Sequence, residues 1–245
     1  MYTLIIAVAV GLLVTILWIA LGLWGGIWLG TILGILIMVA ISALVARRIG
    51  KRIEPAMQSV QRQIQAGQTR LALQTLESLL PMAKWQVLLG GQLHAQIGTI
   101  HYAQGEEAKA MESLSKSHAR VAEAQLFRAA LLYRKHDVDG ATSALRGSVK
   151  YNQKNALLHN TLAWMLSQSD RTDEAIAALQ DALKSMKDDS ATKDNLIRLQ
   201  NGKKMSMKGF GMTWYGLQLE KVPNALRQMQ QGPPRPGFRQ PRRRR

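Results

Sequence analysis

Cysteine is absent from the 245 residues, which excludes disulfides, iron–sulfur clusters and thiolate zinc sites and leaves either side of a bacterial inner membrane open as the compartment. Charge is absent from residues 2–46, where no Asp, Glu, Lys, Arg or His occurs. Also missing are a GxSxG elbow, a Walker loop and a dinucleotide fingerprint, so the commonest hydrolase and nucleotide chemistries have no carrier.

The uncharged stretch holds 45 residues. As one helix it would run ~67 Å, about twice a ~30 Å hydrocarbon core, so two spans fit better. Gly22, Gly25, Gly26 and Gly30 cluster near its middle beside Trp24 and Trp28, which suits an interfacial turn with aromatic anchors. Residues 1–46 are therefore expected to form a transmembrane helical hairpin with spans at about 2–23 and 27–46. Gly26, Gly30 and Gly34 recur every four residues and Ala7, Gly11 and Thr15 match them in the first span. Such stripes permit close backbone approach within the hairpin, or a homodimer through Gly26, Gly30 and Gly34. A cleaved signal peptide fits less well, because no basic segment precedes the apolar run and the run is too long.

Arg47, Arg48, Lys51 and Arg52 follow directly. The positive-inside rule places that end, and with two crossings both termini, in the cytoplasm. Residues 47–54 read as a basic juxtamembrane linker whose four cations contact an anionic surface.

The formal charge is +16, yet residues 203–245 carry eleven basic residues against Glu220 alone, and residues 53–202 hold 17 basic and 15 acidic residues. The basic character belongs to the ends rather than to the folded body, so it is a poor signal of nucleic-acid binding by that body.

Between 53 and 202 apolar residues recur at helical spacing, and Gly or Asp turns punctuate the chain roughly every fifteen residues. Four segments align on an alanine: Gly67-Gln-Thr-Arg-Leu-Ala72, Gly105-Glu-Glu-Ala-Lys-Ala110, Asp137-Val-Asp-Gly-Ala141 and Arg171-Thr-Asp-Glu-Ala175, followed by Leu76, Leu114, Leu145 and Leu179. The alanines lie 38, 31 and 34 residues apart, bracketing a ~34-residue period. Here the chain resembles the tetratricopeptide repeat family. The match is closest in 156–189, where Leu162, Ala163 and Leu166 take first-helix positions and Asp173, Glu174, Ala175, Leu179 and Ala182 take second-helix positions; Ile97, Gly98, His101, Ala110 and Leu114 correspond in 92–122. Residues 53–80 lack the family's Trp and Gly, Pro81 and Trp85 interrupt the period, and 190–200 fits a closing helix with a polar outer face.

The resemblance implies an all-α protein in which the hairpin carries an α-solenoid of about four helix pairs over 55–202, ended by a capping helix. It also implies that protein partners bind on a concave surface lined by first helices. Transferred to this chain, the groove-facing positions are Gln92, Thr99 and Tyr102, then Leu126, Ala130, Tyr133 and Arg134, then Leu157, Asn160 and Trp164. The paired Lys and Asn with which some repeat proteins hold a C-terminal carboxylate are not matched, and no such clamp is expected. Architecturally the chain is similar to membrane-anchored repeat proteins carrying a rubredoxin-like zinc module, but it lacks every cysteine of that module.

Of His94, His101, His118, His136 and His159, only His136 has a carboxylate or second histidine at the i, i+3 or i, i+4 spacing, Asp139, and one such pair falls short of a helical metal site. Glu106, Glu107, Glu112 and Glu123 read as a solvated face rather than an acid–base pair. No catalysis, cofactor or metal is expected.

Residues 203–231 mix lysines with Met205, Met207, Phe210, Met212, Trp214 and Tyr215. This extension fits an apolar strap folded back on the array, a segment at the membrane surface, or a partner-binding element, with the strap favoured. Residues 232–245 are rich in Pro and Arg and are expected to be disordered, with Arg242, Arg243, Arg244 and Arg245 able to meet anionic lipid, RNA or an acidic protein. The resulting expectation is a membrane-anchored scaffold at the cytoplasmic face of a bacterial inner membrane. Its rivals are an RNA- or ribosome-associated, or anionic-lipid-associated, membrane factor acting through the tail, and an inverted topology that residues 47–52 oppose.

Overall fold

The computed structural model describes residues 2–22, 26–86 and 88–224, and every regular element among them is helical. The uncharged stretch forms α1 (Tyr2–Ala20) and most of the first half of α2 (Gly26–Gln65), packed antiparallel with Gly11 opposite Gly34 and Trp18 opposite Gly30. Small residues make this contact possible. A Cβ on Gly11 would stand 2.8 Å from the Gly34 carbonyl oxygen, closer than packed atoms allow, so the two backbones touch because neither residue has a side chain. Thr15 Oγ1 adds hydrogen bonds to the carbonyls of Gly11 (3.0 Å) and Gly30 (3.2 Å).

Gly30 and Gly34 are thus turned inward and buried, while Gly26 opens α2 in the left-handed region at φ 56°. Of the three glycines expected to carry a homodimer, Gly30 and Gly34 are taken up by the intrachain contact, and a Cβ on Gly26 would meet nothing within 4 Å. The outward surface of the pair is apolar and bare: Leu12, Ile16, Ile35, Leu36 and Leu44 are all more than half exposed. Both helices are long and apolar enough to cross a membrane.

Residues 47–54, expected as a basic juxtamembrane linker, lie within α2. Helix α2 runs on without a break for 40 residues, ~60 Å. Arg and Lys are good helix formers, so four of them in six positions do not end a helix. Pro55 lies inside it and removes one N–H, at a typical cost of ~3 kcal/mol in a helix interior. What offsets that cost is packing: Ile49, Ile53, Met57 and Val60 extend a helical stripe that meets Leu76, Leu79, Leu93 and Ile97.

The second half of α2 is therefore the first helix of the first repeat, paired with α3 (Thr69–Leu79). A single 3-10 segment, Leu80–Lys84, accommodates the period break at Pro81. Three further pairs follow: α4 (Leu89–Ala103) with α5 (Glu107–Ser115), α6 (Ala122–Arg134) with α7 (Val138–Val149), and α8 (Ala156–Ser167) with α9 (Thr172–Ser185). Helix α10 (Ser190–Gln200) caps them, with Leu199 buried and Ile197 exposed. The fold is a stack of antiparallel helix pairs, the arrangement the resemblance implies. The four register alanines Ala72, Ala110, Ala141 and Ala175 are fully buried, and a Cβ on Gly98 would lie 2.6 Å from Leu114 Cγ, so small residues set how closely the paired helices cross.

Each first helix ends in the same left-handed turn. Gly67, Gly105, His136 and Asp170 occupy it at φ 73°, 77°, 63° and 57°, and Gly202 repeats it after α10 at φ 64°. In each case the next residue donates its N–H to a carbonyl five residues back, as in Gln68 to Gln63 and Asp137 to Leu132, which satisfies groups the helix end leaves open. Asp137, Asn155 and Asp189 then cap the following helices by accepting from Gly140, Leu158 and Thr192.

Because His136 holds a conformation that glycine adopts freely, His136→Gly is expected to raise stability by about 0.5–1 kcal/mol, the relief of strain exceeding glycine's extra unfolded-chain entropy. The gain at Asp170→Gly is smaller, since Asp tolerates this region. Urea denaturation of the purified chain checks the order; a loss of stability at position 136 contradicts it.

Candidate partner-binding groove

Neighbouring first helices pack on one another, α4 on α6, α6 on α8 and α8 on α10, whereas the second helices chiefly meet the first helices on either side of them. The stack consequently curves with the first helices on the inside. Onto that inner face the chain folds its own C-terminal extension, the favoured one of the three readings of this segment.

The path of the strap is fixed by named contacts, in order from the cap towards the first repeats. Asn195 on α10 accepts the Ser206 N–H at 2.8 Å, and Ser167 Oγ on α8 donates to the Met205 sulfur at 3.9 Å. After the turn Lys208–Phe210 and the short helix α11 (Gly211–Tyr215), the fully buried Trp214 meets Trp164 edge-on at 5.0 Å. Trp164 in turn lies 5.5 Å from Tyr133 on α6. The Tyr102 hydroxyl on α4 donates to the Leu217 carbonyl at 2.7 Å, and Arg134 donates to the Gln218 side chain at 2.9 Å. Met207, Tyr215 and Leu217 are buried in the same cluster.

The electrostatics are those of a closed packing site. Burial pushes the Tyr102 hydroxyl up to about 12, so it stays a donor at any working pH. Arg134 stands over the Tyr102 ring at 5.4 Å and pairs with Glu107 at 3.0 Å. A buried amide network joins α8, α10 and the strap: Asn160 donates to Thr192 Oγ1 at 2.8 Å and accepts from Asn195 at 2.9 Å.

The ten expected groove residues therefore divide. Tyr102, Leu126, Ala130, Tyr133, Arg134 and Trp164 belong to the floor or rim of the strap's site, Leu157 packs against the same core, and Asn160 is fully buried in the amide network. Tyr102, Leu126, Ala130, Asn160 and Trp164 are buried, whereas Tyr133, Arg134 and Leu157 stay partly exposed. Gln92 and Thr99 line a cleft of about 1110 Å³ between α2, α4 and the start of α6. Sequence reasoning missed its other lining residues, among them Met57, Gln61, Ile64, Gln96 and Arg120. For Met57 and Ile64 the signal was the apolar stripe carried past Ala46 at helical spacing.

Could a partner displace the strap? A free segment with equal contacts competes against one that is tethered, and tethering corresponds to an effective concentration on the order of millimolar. A free segment at micromolar concentration then loses by about 10³. Among the described residues no group of three or more His, Asp or Glu stands together as a metal site. The basic tail, including Arg242 to Arg245, lies outside the described residues.

No family model matches the chain, and no curated protein matches it. Among solved structures, one titled "Crystal structure of MamA protein" is similar at 18% identity and a TM-score of 0.46, covering 69% of this chain and 85% of that one. Another, titled "MamA RS-1 ArsTM double mutant", is similar at 15% identity and a TM-score of 0.48, covering 76% of this chain and 99% of that one.

Trp214→Ala empties a fully buried site and is expected to destabilise the repeats by about 3–5 kcal/mol; Tyr102→Phe, which leaves the Leu217 carbonyl without its donor, by about 1 kcal/mol. Denaturant titrations give both, and a Trp214→Ala cost below that of Tyr102→Phe would mean that the strap is not part of the core. The pH dependence follows from His94 and His159, both held below the ordinary histidine value by burial, with Lys116 adding to the effect at His94. Their unfolded forms bind protons more readily, so stability is full above ~6.5 and falls as pH drops through the range below it. Thermal melts at pH 7.5 and 5.5 should show this fall, and His159→Gln should reduce it.

Proposed function

We propose that this protein is a membrane-anchored repeat scaffold without catalysis, held by its N-terminal hairpin with both termini in the cytoplasm, which recruits a protein partner into the cleft between α2 and α4. Supporting the anchor are the uncharged pair α1 and α2, its bare apolar exterior and the cations at 47, 48, 51 and 52 directly beyond it. Supporting the binding role is a wide cleft that the strap leaves open. Its floor is apolar, with Ile53, Met57, Leu89 and Leu93, and its rim carries the amides of Gln58, Gln61, Gln92 and Gln96. That combination suits a polypeptide segment, which brings both side chains to bury and backbone groups to satisfy.

A photo-activatable amino acid placed at Gln92 or Gln96 in cells is expected to capture a discrete set of membrane-fraction proteins, whereas one at Ala177, exposed on the second helix α9, is not. Equal capture from both positions would remove the cleft as the recruiting site. Release of the protein by alkaline carbonate extraction would remove the anchor.

A further inference from the structure

A second, smaller cleft opens where the uncharged run gives way to the cations. Val45, Arg48, Ile49 and Arg52 of α2 form one wall, and Met82 and Trp85 of the period-breaking segment form the other, enclosing about 600 Å³. The first turn of α1 braces it: Thr3 Oγ1 donates to the Trp85 carbonyl at 2.5 Å, and Tyr2 meets the Trp85 ring edge-on at 5.7 Å.

Its chemistry is graded along the helix axis. Val45 and Ile49 are apolar and partly or fully covered, while Arg48 and Arg52 sit about one and two turns beyond Val45. Both guanidinium groups are exposed, and neither has a carboxylate partner among the described residues. Arg47 and Lys51, equally charged, do not line the cleft. Glu54 faces the larger groove. Two unpaired cations over an apolar floor that continues into the span complement an anionic headgroup with its acyl chain attached. A soluble acidic peptide would leave the apolar half unmatched.

We propose that this cleft is a binding site for one anionic phospholipid of the membrane the hairpin crosses, its phosphate on Arg48 and Arg52 and its chain along Val45, Ile49 and Met82. The inference rests on the anchored reading above. It also gives the interruption at Pro81 and Trp85 a role, since an unbroken repeat would supply no second wall.

The test uses the full chain in detergent, titrated with phosphatidylglycerol or phosphatidylcholine and read by native mass spectrometry, with flotation on vesicles in parallel. Wild-type protein is expected to retain phosphatidylglycerol in preference to phosphatidylcholine. R48Q/R52Q should lose about tenfold in retention, while the charge-matched R47Q/K51Q loses less than twofold. Equal losses from the two pairs would reduce the effect to general surface charge and overturn the site. Competition by glycerol 1-phosphate as effective as that by the lipid would overturn it in favour of a soluble anion. Failure of the wild type to float after carbonate treatment would defeat the anchored reading itself, and is distinguishable because it concerns no arginine.

Discussion

One helix belongs to two structures, and everything else is placed by it. The 40 residues of α2 contact α1 through Gly30 and Gly34 and contact α3 and α4 through Val60 and its neighbours. Because the backbone hydrogen bonds run through the charged turns at 47–52, the first repeat is not hung on a flexible tether. Its direction relative to the hairpin is set by helix geometry, and a change in that direction requires bending a helix rather than rotating a loop. Pro55 marks where such bending costs least, since one backbone bond is already missing there.

The opposite end of the array is finished differently. A solenoid's last repeat exposes an apolar face that must be covered, and α10 covers only part of it. The strap covers the remainder, with Trp214, Met207 and Leu217 continuing the core that Leu162 and Trp164 begin. Buried amides specify the join. Asn160, Thr192 and Asn195 satisfy one another and the Ser206 backbone, and any register slip between α8, α10 and the strap would strand several of them in an apolar surrounding. The strap is thereby positioned by polar geometry and held by apolar burial.

How much of this was legible follows from which signals are local. The repeats were visible because alanine, leucine and a turn residue recur at fixed offsets, and the cap at 190–200 because Leu196, Ile197 and Leu199 stand amid Lys193, Asp194 and Arg198 directly after the last repeat. The continuity of α2 was not: four cations and a proline in nine positions resemble a linker, and only the faint stripe Ile49, Ile53, Met57, Val60 argued otherwise. The strap's place on the inner face was hidden for a different reason. Family positions say which residues face inward, but not whether the chain itself fills the space they face. The clustering of Met205, Met207, Trp214, Tyr215 and Leu217 in an otherwise basic stretch was the available warning, and it pointed to burial without saying where.

The placement of the open cleft constrains what kind of partner can use it. Its α2 wall spans residues 53 to 64, beginning about 10 Å and ending about 27 Å beyond the last uncharged residue at 1.5 Å per residue. With α2 rigid through this stretch, and the hairpin in a bilayer, a bound segment is held within a few tens of ångströms of the headgroups. Large soluble domains would collide with the surface unless the bound portion were a terminus or an extended loop. On the anchored reading proposed above, short tails and loops of membrane proteins meet the requirement directly, because they are confined to the same layer. Confinement also raises their local concentration, so a cleft of modest intrinsic affinity suffices to select them.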